Sequence, residues 1–366
     1  MLLTMESKTA AHHKLELLIE KGRATAGSVV EHVMKFQPED RLVRSSDLSF
    51  VANAGSTEVS VSVPHGAGAQ TQTAQSLHRN ALTQMAQATD LPLKFVDALQ
   101  ETGASWGREL LAHNLNTIFQ QRMPRHRYLL RSLGSQVRGF LSDRYRRLDS
   151  RPIVEAFASA VQQKGAFPYA GYVTDTKIAL QAIMPEVYEP IPGELVAYGL
   201  SLENSDFGNG ALSVRAYLLR IWCSNLAITQ EEMRQVHLGK RLDESMLYSN
   251  RTYELDARAT VSALKDVIKG QLDAGSLRRR MDAVRHANDQ EVNPQRAKET
   301  FRRLLQKGES EAALQAFESP DTYNLPAGNT NWRLSNAISW IAGQTKDSER
   351  KLDLMKIAGD VLPKAA

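Results

Sequence analysis

The sequence predicts an α+β protein in which helices pack on an antiparallel β-meander and a helical region follows. Two patterns predict this class. Within residues 196–228, apolar side chains alternate with small or polar ones on both sides of a turn rich in Asn, Asp and Gly, as in a β-hairpin. Beyond residue 228, apolar residues recur three and four positions apart, which is the helical period. We expect a strand pair and helical unit at residues 1–121, an α+β core with an arginine-rich ribbon at 122–230, and a helical region at 231–366.

The composition is that of a folded protein without a disulfide framework. The 366 residues are 42% apolar and 23% charged, a balance that allows one large core or two ordinary ones. Cys223 is the one cysteine, so we expect neither a disulfide nor a thiolate metal cluster, and a reducing compartment. The first residues lack a signal-like apolar run, and no uncharged apolar stretch of about 18 residues follows. We expect a cytoplasmic protein that makes no contact with membranes.

Periodicity predicts the N-terminal elements in order. The first helix has an apolar side and should end at Gly22, because glycine is typical of helix ends. The expected elements are a helix at 13–21, a strand pair at 42–50 and 59–63, two helices between 77 and 100, and a helix at 106–121. We expect these three consecutive helices to form a small helical unit.

Residues 122–151 are the most charge-asymmetric part of the chain, with nine arginines and two aspartates. Alternation predicts two strands around a turn at 133–136, which would place several guanidinium groups on one ribbon. Arginine binds phosphate through two parallel hydrogen bonds, and tyrosine stacks on bases. The candidate nucleic-acid-binding residues are Arg127, Arg131, Arg138, Arg144, Tyr145, Arg146 and Arg147. The alternative is a solvated sheet face whose arginines pair with carboxylates elsewhere in the chain.

The rest of the core reads as one helix followed by a meander. A helix begins at Pro152, and strands at 169–173 and 178–184 lead into the hairpin of residues 196–228. Within that hairpin, apolar residues at 218–226 fall at helical spacing and predict a buried helix that contains Cys223. In the last predicted helix, Trp332 and Trp340 should lie in a core or an interface, because their exposure would be costly.

Three segments resemble a family known as phage/plasmid-like proteins, whose function is unknown. They are VRGFLSDRYRRLDS at 137–150, SLENSDFGNGALSVRAYLLRIWCSNLA at 201–227 and GNTNWRLSNAISWIA at 328–342. The residues that match the family pattern are Ser142, Asp143, Arg144 and Tyr145, then Arg220, Cys223 and Asn225, then Trp332, Asn336 and Ala337. Ser224 departs from it, since threonine is expected there. The resemblance spans roughly residues 40–341 and implies a setting among mobile elements, where members resemble accessory proteins of DNA metabolism.

Nothing in the sequence predicts an enzyme. Cys223 with His237 or His286 would form a nucleophile and base, but Cys223 lies in an apolar run, where cysteines are usually inert packing residues. Asn204 and Asp206 precede a glycine, yet no downstream Glu completes a calcium loop. We therefore expect no metal and no cofactor.

Two non-enzymatic functions stay open. The first is a nucleic-acid-binding protein, in particular a single-stranded DNA binding or annealing accessory of recombination or replication. The meander, helix and arginine ribbon are similar in outline to phage single-strand annealing proteins, which is an analogy of fold alone. The second is a structural or interaction protein that forms a homo-oligomer, through the helix that contains Trp332.

Overall fold

The computed structural model describes residues 5–52, 59–64, 72–222, 225–235 and 249–362. Within these residues the chain forms eleven α-helices and twelve β-strands. The helices are α1 (Met5–Lys35), α2 (Arg79–Thr89), α3 (Leu93–Glu101), α4 (Ser105–Thr117), α5 (Ser150–Gln163), α6 (Asn250–Gln271), α7 (Ala274–Asp289), α8 (Pro294–Leu304), α9 (Lys307–Glu318), α10 (Asn331–Gln344) and α11 (Ser348–Asp360). The strands are β1 (Glu39–Arg44), β2 (Ser49–Ala52), β3 (Val59–Pro64), β4 (Gln72–Leu77), β5 (Arg127–Leu133), β6 (Gln136–Ser142), β7 (Phe167–Val173), β8 (Ile178–Ile183), β9 (Tyr188–Ile191), β10 (Glu194–Asn204), β11 (Leu212–Arg220) and β12 (Asn225–Gln235).

The predicted α+β class, with sheets that are antiparallel except where β4 pairs with β6 and with a helical C-terminal region, is confirmed. The strands form two sheets. The first sheet has the order β1-β5-β6-β4-β3-β2, and the second has the order β12-β11-β10-β8-β7, with β9 paired to β10. Because β5 and β6 pair with β1 and β4, the arginine-rich hairpin belongs to the same sheet as the N-terminal strands. The expected boundary at residue 121 therefore does not separate the two sheets.

The first sheet buries one face under α2, α3 and α4. Tyr128 and Leu130 of β5 contact this core together with Phe119 and Phe140, whose rings lie 5.3 Å apart. Arg131 and Leu129 alternate with them and face the other way, as the two-residue period of a strand requires. This second face of the hairpin packs toward the second sheet. A Cβ atom on Gly139 of β6, which lies opposite Arg131, would be 3.4 Å from Cα of Phe207 in the turn between β10 and β11.

The second sheet is built on the predicted hairpin of β10 and β11, which pair in antiparallel register. The prediction of a buried helix at 218–226 is wrong. β11 continues to Arg220 and β12 begins at Asn225, so that Leu218 lies opposite Ala227 and Leu219 opposite Leu226. Strands that are covered on both faces are apolar throughout, and periodicity cannot distinguish such a run from a buried helix. Cys223 itself lies outside the described residues.

The first helix is much longer than predicted, because Gly22 lies in its interior. Helix α1 packs on β7 at the edge of the second sheet. A Cβ atom on Gly22 would lie 1.5 Å from the carbonyl oxygen of Tyr169, and one on Gly171 would lie 2.3 Å from that of Thr25. Glycine on both elements allows a helix and a strand to approach this closely. Gly22 is therefore a packing residue and not a helix end.

The C-terminal helices cover the second sheet, where α10 and α11 pack on β12. Trp332 is buried in the core, so α10 offers no free surface at this residue for the oligomer that the sequence predicted. Trp340 is half-buried and contacts Tyr323 with ring centroids 4.7 Å apart. In the part of the chain that the structure describes, no helix is both long and apolar enough to span a bilayer.

Candidate functional site

The arginine-rich hairpin is not the exposed ribbon that the sequence predicted. Arg131, Tyr145 and Arg146 expose only 1%, 6% and 3% of their surface. Arg131 is buried because it lies on the face of β5 that packs toward the second sheet. These three side chains are therefore not available to a ligand at the surface, and we remove them from the candidate interface.

The buried side chain of Arg131 joins the two sheets through a cluster of charges whose carboxylates are partly exposed. Its Nε donates to Asp40 Oδ1 at 2.7 Å, its Nη2 to Asp149 Oδ1 at 2.5 Å, and its Nη1 to the carbonyl oxygen of Asp206 at 2.8 Å. We call Arg131, Asp40, Asp149 and Asp206 the Arg131 cluster. Its members come from β5, from β1, from the residue before α5, and from the β10–β11 turn. The first sheet, α5 and the second sheet are thus joined through one guanidinium group.

Two neighbouring arginines are also paired internally. Arg146 forms an ion pair with Asp256 and donates to Thr260 Oγ1 at 2.6 Å, both on α6. Arg147 Nε lies 2.7 Å from Asp40 Oδ2, and its guanidinium group lies 6.0 Å from the ring centroid of Tyr253. For Arg131, Arg146 and Arg147 the structure thus matches the alternative, in which arginines pair with carboxylates elsewhere.

Arg127, Arg138 and Arg144 remain at or near the surface. Arg138 is partly exposed, and its Nη1 donates to the carbonyl oxygen of Asp175 at 2.7 Å. Arg127 and Arg144 are exposed and have no ion-pair partner among the described residues. In addition, Arg44 of β1 is exposed and lies directly opposite Arg127. Like charges in opposite strand positions repel each other, so an anion would stabilise this basic edge of Arg44, Arg127 and Arg144.

The turn residues Asn204 and Asp206 hold the start of α5. Asn204 Nδ2 donates to the carbonyl oxygen of Leu148 at 2.9 Å, and Asp206 Oδ1 accepts from the backbone N and the hydroxyl of Ser150 at 2.7 and 2.8 Å. Burial raises the pKa of Asp206 to about 6, against the opposing effect of Arg131.

Among the described residues, no group of three or more His, Cys, Asp or Glu side chains could hold a metal ion. The expectations of no metal, no cofactor and no catalysis stay predictions, and Cys223 and His237 lie outside the described residues.

The raised pKa of Asp206 predicts a measurable pH dependence of stability. The carboxyl group of Asp206 stays protonated up to about pH 6 in the folded chain but loses its proton near pH 3.8 in the unfolded chain. Its contribution to the free energy of unfolding is therefore complete below pH 3.8 and is lost as the pH rises through 6. Asp206→Asn should retain the acceptor oxygen but abolish this change. We expect the free energy of unfolding of the parent, relative to the variant, to fall by about 2 kcal/mol between pH 4 and pH 7 in urea titrations. Asp143→Asn is the control, and its free energy of unfolding should change with pH as that of the parent does. The prediction is contradicted if the free energy of unfolding of Asp206→Asn also follows the pH dependence of the parent.

A cleft of about 860 Å³, which no pattern in the sequence predicted, lies between α1, β7, β8, α10 and α11. Four aromatic residues line it, together with two lysines and several amides and hydroxyls. None of the described residues that line the cleft is Asp or Glu. The aromatic and cationic residues of this lysine–aromatic cleft are Tyr169, Tyr172, Tyr323, Trp340, Lys21 and Lys351. An aromatic ligand that carries negative charge matches such a lining.

Local geometry places the cleft residues. Strand β7 shifts register between Pro168 and Ala170, so Tyr169 is the extra residue of a β-bulge, a feature that redirects side chains next to sites. Lys351 Nζ lies 5.8 Å from the ring centroid of Tyr172, and burial lowers the pKa of this lysine. Lys21 precedes Gly22, whose close approach to β7 brings α1 to the cleft. No local sequence signal joins these elements, because they are far apart in the chain.

Buried polar groups without a hydrogen-bond partner among the described residues lie beside the cleft. Gln181 of β8 is fully buried, and neither its amide nitrogen nor its amide oxygen has a hydrogen-bond partner among the described residues. The same holds for the hydroxyl of Ser339 on α10, which also lines the cleft. Ser201 lies directly opposite Gln181 on β10, and its buried hydroxyl is likewise unpaired in the described part of the chain. Each such group costs about 1–3 kcal/mol of folding free energy.

Comparisons with known proteins give no relative for this chain. No family model, no curated protein and no solved structure matches it. The resemblance to phage/plasmid-like proteins therefore stays a prediction, and the candidate site rests on its own geometry.

Proposed function

We propose that this protein is a non-enzymatic nucleic-acid-binding protein that binds single strands, DNA in particular, in the lysine–aromatic cleft. The observation that carries the proposal is the lining of the cleft, with four aromatic rings, two lysines and no carboxylate among its described residues. Proteins that bind single strands stack bases on aromatic rings and neutralise phosphates with basic side chains. The volume of about 860 Å³ lies within the range of about 300–1,000 Å³ that is usual for ligand sites.

The basic edge of the first sheet supports the same function. Arg44, Arg127 and Arg144 are exposed, and the described residues supply no ion-pair partner for Arg127 or Arg144. Both residues belong to the arginine set that the sequence singled out. We propose that they contact phosphates outside the cleft, where exposed cations contribute mainly to salt-dependent affinity.

The biological setting is part of the proposal. The resemblance to phage- and plasmid-borne proteins favours a mobile-element accessory of recombination or replication, and the single cysteine favours the cytoplasm. Both are inferences from sequence alone.

The test is salt-dependent binding of a fluorescent single-stranded oligonucleotide. Each phosphate contact on a single strand contributes about 0.7 to the slope of log affinity against log salt. Replacing Lys21 and Lys351 together by Gln should therefore reduce that slope by about 1.4 and leave the thermal unfolding cooperative, since neither lysine is fully buried. The matched control is Lys269→Gln with Lys307→Gln, which removes the same charge from exposed positions outside the cleft.

Two results would contradict the proposal. One is a parent protein that does not bind the oligonucleotide at about 50 mM salt, where phosphate contacts are strong. The other is a cleft variant with the affinity and slope of the parent. Either result would leave the second candidate function, a structural or interaction protein.

That second function is favoured by one surface observation. Leu93, Phe95, Trp106 and Leu110 expose 38 to 56% of their surface on the adjacent helices α3 and α4. Trp106 and Leu110 are four residues apart and share a helix face. Exposed apolar residues on adjacent helices are typical of contact surfaces, and we propose a second copy of the chain as the partner. A native-mass measurement with and without a short oligonucleotide reports both assembly and binding, and a monomeric mass in both samples would contradict the homo-oligomer.

A further inference from the structure

We infer that a groove between α1 and α5 binds a small amphiphilic anion, an acyl chain with a terminal carboxylate. The groove has a volume of about 430 Å³, and residues of β7 and β8 complete its lining. Arg23 and Gly27 share one side of α1 and line the groove, whereas Lys21 and Thr25 share another side and line the lysine–aromatic cleft. The groove is therefore a second site, and the inference goes beyond the proposed function.

The first argument is the apolar surface that the fold leaves open in this groove. Val30 of α1 and Ala158 of α5 are half-buried, and Phe167 of β7 exposes 38% of its surface. Most of the other residues that line the groove are apolar as well. Ligand sites are concave and mostly apolar, have volumes of about 300–1,000 Å³, and contain a few polar groups that orient the ligand. An aliphatic chain in the groove would remove its open apolar surface from water.

The second argument is the size of the groove, which distinguishes an acyl chain from a helix of a partner protein. An α-helix with its side chains is about 10 Å wide and rises about 5.4 Å per turn, so one turn occupies about 420 Å³. The groove would therefore hold about one turn. Helices that bind in grooves use apolar anchors spread over about two turns. An extended acyl chain is narrower than a helix and fits the same volume.

The third argument is the charge of the lining. Arg23 exposes 54% of its side chain, and none of the described residues that line the groove is Asp or Glu. Nη1 of Arg23 lies 3.1 Å from Oε2 of Glu20, one turn earlier on α1, but exposed pairs of this kind are weak. A guanidinium group has five N–H donors, so Arg23 retains donors for the carboxylate of a ligand. The apolar lining and this arginine together match an amphiphilic anion.

The experiment measures binding of decanoate to the full chain by isothermal titration calorimetry. Octanoate, decanol and decyltrimethylammonium are the comparison probes. We expect octanoate to bind about tenfold more weakly than decanoate, because two fewer methylene groups are buried. Decanol should bind at least about threefold more weakly than decanoate, and the cation more weakly still, because Arg23 attracts only the carboxylate.

Two variants locate the site, each with a matched control on α6. Gly27→Leu should lower decanoate affinity at least about tenfold, because a Cβ atom at Gly27 meets nothing within 4 Å and the new side chain would occupy the groove. Gly270→Leu is its control, since Gly270 is equally open but lies outside the groove. Arg23→Gln should lower decanoate affinity to that of decanol and leave decanol binding unchanged. Arg258→Gln, which removes an exposed arginine paired with Glu254, should change neither.

The outcomes decide the inference without an oligonucleotide, so its failure is distinct from that of the proposed function. If decanoate does not bind, or if Gly27→Leu binds it like the parent, the groove is not the site. If decanol binds as tightly as decanoate, or if Arg23→Gln keeps the preference for decanoate, the carboxylate is not recognised and the inference is also wrong. Both glycine replacements should raise the unfolding temperature, because leucine favours helix over glycine. If Gly27→Leu does not fold, the probes on the parent and on Arg23→Gln still decide the matter.

Discussion

Replacing Arg131 by Met is expected to lower the free energy of unfolding by about 1.5–3 kcal/mol at pH 7, the usual value of hydrogen bonds to charged groups, because Asp40 and Asp149 are partly exposed and water can hydrate them in the variant. The variant would leave the carboxylates of Asp40 and Asp149 and the carbonyl of Asp206 without the guanidinium group that they share. These groups come from both sheets, so their separation should loosen the junction between them. Urea unfolding of parent and variant at pH 7 measures the loss.

The control for this prediction is Arg144→Met. Arg144 belongs to the same arginine-rich segment but is exposed, so its replacement should change stability by no more than about 0.5 kcal/mol. The loss for Arg131→Met should also shrink at pH 5. At pH 7 Asp206 is charged in the parent and is stabilised by Arg131, whereas at pH 5, below its pKa of about 6, it is protonated in parent and variant alike, so its share of the loss disappears. A loss of less than about 1 kcal/mol at pH 7, or one that does not depend on pH, would mean that the Arg131 cluster does not hold the sheets together.

Replacing Gly22 by Ala is expected to cost about 3 kcal/mol and to reduce oligonucleotide affinity at least about tenfold. The new Cβ atom would lie 1.5 Å from the carbonyl oxygen of Tyr169 and 2.6 Å from its carbonyl carbon. Both contacts are to backbone, so a rotamer change cannot relieve them and α1 must move away from β7. Because Lys21 is the preceding residue and α1 lines the cleft, the same movement should disturb the binding site.

The matched control is Gly27→Ala on the same helix. A Cβ atom there meets nothing within 4 Å, so the change should stabilise α1 by about 0.5–1 kcal/mol through the better helix propensity of alanine. If thermal and urea unfolding show that Gly22→Ala lowers stability while Gly27→Ala raises it, the contact with Tyr169 is the cause of the loss. Equal effects would mean that the helix tolerates alanine at Gly22 and that the close approach to β7 is not needed.

A glycine in a sequence does not by itself show whether it ends a helix or lets the helix pack closely against another element. A glycine after an apolar helical turn is typical of a helix end, and the sequence predicted one at Gly22. The structure instead continues α1 to Lys35, because the missing side chain is used for packing against a strand about 150 residues later. The residues that surround Gly22 in the sequence do not indicate this contact with β7.

By itself, the sequence determined the elements whose patterns are local. Alternation in residues 196–202 and 212–216 and the turn between them predicted the β10–β11 hairpin, and the same pattern predicted the arginine-rich hairpin of β5 and β6. The α+β class followed from these segments and from the helical spacing beyond them.

Only the tertiary structure decided which charges are exposed and where the cleft lies. Local pattern placed Arg131 and Arg146 on a surface ribbon, but their carboxylate partners, Asp149 for one and Asp256 for the other, come from elements that meet them only when the chain folds. The cleft likewise needs α1, β7, β8, α10 and α11 together, because its lining residues come from all of these elements. Hydrophobic period is a property of a short window, whereas burial, ion pairing and unsatisfied hydrogen bonds depend on residues far apart in the sequence.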